Sequence, residues 1–118
     1  MPTFQQEIHS PRRGHDDTYS FVFEHNELTI STHSRQAVCT WRENRDPAWS
    51  GEPLEQMLAN ENICPPEDFS GHMSHLWQAW RRGELQDSEA EAELQALVTW
   101  LNAITRAKPR TDFWRRYF

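Results

Sequence analysis

Two cysteines, six histidines and eighteen carboxylates are the side chains of this chain that can do chemistry. Their spacing limits what they can do. His72 and His75 stand three apart on a stretch with helical periodicity, and an i, i+3 pair can share a metal. Cys39, Cys64, His72 and His75 together would satisfy tetrahedral zinc chemistry in ligand type. There is no C-x-x-C, however, and the two histidines flank Met73 and Leu76 at the edge of an apolar stripe. The expectation is no metal and no other cofactor. His15-Asp16-Asp17 reads as a solvated loop rather than a cation site.

Nucleophilic chemistry fares no better. Cys39 alternates with Val38 and shares a strand face with Trp41, the setting of an inert buried thiol rather than an activated one. The chain has no G-x-S-x-G, P-loop, G-x-G-x-x-G or H-E-x-x-H, and none of its four glycines opens a phosphate-cradling loop. No catalytic residue is assigned. A small zinc or thiol enzyme stays as an alternative.

Charge is more informative. The net charge is -6, yet residues 106–118 hold five bases against one acid. That segment also carries Phe113, Trp114, Tyr117 and Phe118. Four aromatics in six residues would make a large apolar patch if exposed, so the tail is expected to dock on the domain. The alternative is a nucleic-acid-binding regulator in which these aromatics stack bases and arginines meet phosphate. The acidic remainder of the chain would oppose that. Carboxylates gather at Glu24 and Glu27 and again at Glu84, Asp87, Glu89 and Glu93. An acidic face of this kind steers a basic protein partner. Trp49, beside Pro47, is the expected aromatic anchor, because Trp is enriched at interface centres. The function expected is a non-enzymatic, acidic protein-binding domain: an inhibitor, immunity or antitoxin-type protein that blocks a basic partner.

The elements that must position these residues follow from periodicity. Leu, Ile, Val and Phe supply only 21 of 118 residues, but six tryptophans compensate, each burying roughly 150–250 Å². Residues 1–17, broken by Pro2, Pro11 and Gly14, are expected to be irregular. Residues 18–118 form a single domain that includes the docked tail. Tyr19, Phe21 and Phe23 alternate with polar neighbours, Leu28-Thr29-Ile30 resumes after a turn at 25–27, and Ala37, Cys39 and Trp41 alternate again. That predicts an antiparallel sheet of about three strands.

Three helices are expected to cover one face of that sheet, giving an α+β fold. The first runs from Pro53 to about Asn60. The second runs from Pro65-Pro66 to about Arg82, with Phe69, Met73, Leu76, Trp77 and Trp80 on one face and Gly83 at its end. The third is opened by a Ser88/Glu91 capping box and buries Ala90, Leu94, Leu97, Leu101 and Ile104. Leu97→Ala is expected to cost about 2–5 kcal/mol. No apolar run reaches the ~18 residues that span a bilayer. Met1–Ser10 lacks the basic and apolar segments of a signal peptide, so a cytoplasmic protein with reduced thiols is expected.

Overall fold

The computed structural model describes residues 2–33, 35–51 and 53–107. Five strands come first: β1 (Thr3–Ser10), β2 (His15–Phe23), β3 (Glu27–Thr32), β4 (Arg35–Thr40) and β5 (Ala48–Gly51). They pair in chain order as one antiparallel meander. Three helices follow: α1 (Leu54–Ala59), α2 (Phe69–Arg81) and α3 (Asp87–Ala107). The α+β class expected from the sequence holds, but the sheet has five strands rather than about three.

Both extra strands have identifiable reasons for escaping the sequence reading. Within the segment expected to be irregular, residues 3–10 and 15–17 are strand. Phe4, Ile8 and Ser10 are buried on β1 and Asp17 on β2, so polar residues occupy inward positions and blur the alternation. Gly14 (φ 74°) closes the hairpin, its N–H donating to the Ser10 carbonyl at 2.8 Å. A positive φ there costs glycine nothing. β5 is a four-residue edge strand placed just after Pro47, and Trp49 on it pairs with Cys39.

The register puts Phe4 beside Phe21 and Ile30, and Phe23 beside Leu28 and Cys39. One sheet face is therefore apolar apart from buried Ser10, Asp17 and Thr32 toward one end. It merges with Leu54, Met57 and Leu58 of α1, Met73 and Trp77 of α2, and Leu94 and Leu101 of α3 in a single buried cluster. α1 contacts β4 and α2, while α3 contacts β1 and α2.

The C-terminus of α2 and the N-terminus of α3 are well specified. α2 stops in a double-bonded turn, with Gly83 (φ 80°) donating to the Trp80 carbonyl and Glu84 to the Ala79 carbonyl. α3 starts earlier than the expected Ser88/Glu91 box. The Gln86 N–H donates to Glu89 Oε1 at 2.9 Å, one half of a capping box shifted two residues.

The buried stripe of α3 is Ala90, Leu94, Val98, Leu101 and Thr105, whereas Leu97 and Ile104 are only half-buried. The expected phase was rotated because α3 must serve two neighbours, α2 and β1. Leu97 therefore does not carry the full cost of a core leucine. The expectation that Phe113, Trp114 and Tyr117 dock lies outside the described residues.

Candidate functional site

The β2–β3 turn and the facing ends of α2 and α3 bring several of the expected binding residues together. Glu24 and Glu27 close the turn, the Glu24 N–H donating to the Glu27 carbonyl at 3.0 Å. Buried Trp77 on α2 reaches the turn, its Nε1–H donating to the Glu24 carbonyl at 2.7 Å. One helical turn on, half-buried Trp80 packs edge-on against Phe23 and stacks on His25, with centroids 5.6 Å apart in both pairs. Its Nε1–H donates to Asp87 Oδ1 at 2.7 Å, so the first residue of α3 fixes the indole. Phe23, Glu24, His25 and Trp80 line an open cleft of about 270 Å³.

Beside this cleft Arg81 donates to the His25 carbonyl and lays its guanidinium over the Trp41 ring, 4.0 Å from the centroid. Arg82 is engaged by Glu84. Among the described residues, the Glu24 and Glu27 carboxylates have no hydrogen-bond or ion-pair partner. The site thus offers unpaired negative charge next to aromatic faces, a combination that suits a cationic side chain.

The remaining expected residues are dispersed. Glu89 is taken up by the α3 start, as described above. Glu93 lies farther along α3, where it lines a groove of about 280 Å³ with Leu97, Leu85, Leu76, His72 and His75. Trp49 is on an edge strand rather than in a loop, half-buried against the core, and lines a different cleft. The sequence places Trp80 only on the apolar face of the second helix. Its position in the last turn of α2, before Arg81-Arg82-Gly83, was the available signal that it sits at an element junction.

The expected non-catalytic residues can also be placed. Cys39 is buried and Cys64 exposed, both as free thiols. Burial pushes the Cys39 thiol up, the opposite of nucleophile activation, with Ser74 Oγ 4.0 Å away partly offsetting this. Among the described residues, no group of three or more His, Cys, Asp or Glu side chains is arranged to hold a metal ion. No described helix is long and apolar enough to cross a membrane.

One charged cluster went unread in the sequence. Glu61, 2% exposed, accepts from Ser10 Oγ and Arg13 Nε, each at 2.9 Å, and its backbone carbonyl accepts from the Arg12 N–H at 3.2 Å. Burial pushes the Glu61 carboxyl up, but the Arg13 and Ser10 hydrogen bonds and the two arginine charges outweigh it. The net position is below the usual carboxylate range. Buried Asp17 faces Arg13 Nε at 3.7 Å and the rings of His15 and His33 at 3.3 Å each. This network ties the β1–β2 hairpin to the segment after α1. Its signal was the pairing of Arg12-Arg13 with Asp16-Asp17 across Gly14, but the buried partner Glu61 is distant in sequence.

Residues 2–105 match a family model described as integron cassette protein. A solved structure of an integron cassette protein from the mobile metagenome of V. cholerae is 37% identical. It superposes with a TM-score of 0.90, and the match covers 100% of both chains. Comparison with curated proteins gives no match.

Proposed function

The chain belongs to the integron cassette protein family, and from that premise we propose that it is a non-enzymatic protein-binding domain whose partner is a basic protein. It acts as an inhibitor, immunity or antitoxin-type protein in the cytoplasm, with its three helices as one layer behind the binding edge. The observation that supports this reading is the cleft of Phe23, Glu24, His25 and Trp80, where an unpaired carboxylate adjoins aromatic rings. An arginine or lysine of the partner enters this cleft. The chain's own Arg81, stacked on Trp41, already shows the same chemistry alongside. Glu27, Glu84 and Asp87 flank the cleft and steer the approach, while Glu89 and Glu93 extend the acidic surface along α3. Trp80 takes the anchoring role that the sequence reading gave to Trp49.

The test is stoichiometric capture from cells that carry the native gene and its neighbours, with wild type, Trp80→Ala and Glu24→Lys compared side by side. One basic protein retained at a fixed ratio by wild type and lost by both variants is the expected result. Retention by Glu24→Lys, or recovery of nucleic acid in place of protein, overturns it.

A further inference from the structure

A second cleft, of about 320 Å³, lies where β5, the β4–β5 loop and the start of α2 meet. It shares no lining residue with the Trp80 cleft. Trp49 supplies an aromatic wall, and Asp46 and Asp68 supply carboxylates from two different elements. Ser74, His75 and Gln78 come from α2, where with Gly71 they fall at i, i+3, i+4 and i+7 on one helix face.

Two details set the Asp68 carboxylate. Asp68 precedes α2 in the left-handed region (φ 59°, ψ 29°), and its side chain makes no capping hydrogen bond to the helix it opens. It lies over Gly71 instead, where a Cβ would fall within 2.3 Å of Asp68 Oδ1. The absence of a side chain at residue 71 is what lets the carboxylate lie there. Among the described residues neither the Asp46 nor the Asp68 carboxylate has a hydrogen-bond or ion-pair partner, and no lysine or arginine lines the cleft. The volume sits at the lower end of small-molecule pockets, about 300–1,000 Å³.

We propose that this cleft binds a small organic cation, its flat charged head stacked on Trp49 and its charges met by Asp46 and Asp68. The lining decides the class. Two unpaired carboxylates repel anions, an indole face attracts a cation, and a guanidinium both stacks on the ring and forks to a carboxylate. Ser74, Gln78 and His75 supply polar contacts for the remainder of the ligand.

The probe is agmatine, which carries an amine and a guanidinium on a butyl chain, with uncharged butylurea as control. Indole and amide NMR resonances of the full chain report where each binds. Agmatine is expected to shift the Trp49 indole N–H and the His75 and Gln78 amides saturably, and butylurea to leave them unmoved. Asp68→Asn tolerates the left-handed backbone and removes the charge. Gly71→Ala keeps every charge and displaces the carboxylate. Each should weaken binding about tenfold or more, with native spectral dispersion retained. Shifts confined to the Trp80 indole would place the cation in the partner cleft and overturn this inference while leaving the partner reading intact. An equal response to butylurea, no saturable shift at Trp49, or unchanged affinity in both variants would also overturn it.

Discussion

Asn102, in the C-terminal half of α3, hydrogen-bonds the backbone of β1 at His9 and Glu7 as a neighbouring strand would. The His9 N–H donates to Asn102 Oδ1 at 2.9 Å, and Asn102 Nδ2 donates to the Glu7 carbonyl at 3.0 Å. Residues i and i−2 of a strand present N–H and C=O on the same side, so one carboxamide satisfies both. β1 is an outer strand of the meander, and an open strand edge is a template for unwanted pairing. Asn102 therefore blocks part of that edge while fixing α3 against it. Asn102→Ala should cost about 1 kcal/mol, the net worth of an ordinary hydrogen bond, because the His9 bond is part-buried and the Glu7 bond exposed, so water replaces part of what is lost. At roughly 4–8 °C per kcal/mol for a domain near this size, a thermal melt resolves it. Greater light scattering on heating is expected as well. An unchanged melting temperature would mean water replaces the amide without cost.

The rotated phase of α3 makes a sharper comparison. Leu94 is fully buried and Leu97 half-buried. Leu94→Ala should cost about 2–5 kcal/mol, the range for truncating a buried leucine. Leu97→Ala should cost well under half as much, because part of the removed surface already faces water. Chemical denaturation of the two variants measures this. Equal losses would restore the phase expected from the sequence.

Much of the fold was legible, and β1 shows why part of it was not. Tyr19, Phe21 and Phe23 announced β2, and the stripe from Phe69 to Trp77 announced α2, because apolar residues there keep strict period. β1 was missed because its inward positions include Ser10, which is buried against Glu61 rather than against apolar groups. A polar residue satisfied by a distant partner is indistinguishable in sequence from a solvated one. The candidate site was half legible. Glu24, Glu27 and Asp87 were named from charge, but only packing reveals that Trp77 and Trp80 join the β2–β3 turn to α3. Trp49 was named as an anchor, yet β5 pairing places it away from those residues.

The Glu61 cluster predicts an acid dependence. Its folded carboxyl lies below the usual range, held there by the Arg13 and Ser10 hydrogen bonds and the arginine charges against the effect of burial. A depressed carboxylate contributes stability that is fully present above its unfolded value, about pH 4.3, and is lost as pH falls through the lower folded value. Stability should therefore decline below about pH 4.3. Glu61→Gln should be less stable at neutral pH by about 1–3 kcal/mol, because Arg13 loses its strongest partner but is partly exposed and solvates. The variant should also show a shallower acid limb. Urea melts from neutral pH down to pH 3 test both points, and parallel acid limbs would remove Glu61 from the account.

The central claim is that the acidic, aromatic edge around Trp80 receives a basic partner. The most direct measurement is the association rate of the captured partner with wild type and with Glu24→Lys/Glu27→Lys, at low salt and at about 0.5 M salt, where the Debye length falls to a few ångströms. Neither carboxylate has a partner among the described residues, so the double variant should keep its fold. The account predicts fast, salt-sensitive association for wild type. At low salt the variant should associate about tenfold or more slowly, with little of that difference left at high salt, since charge steering acts mainly on the on-rate. Equal association rates at low salt for the two proteins would contradict it.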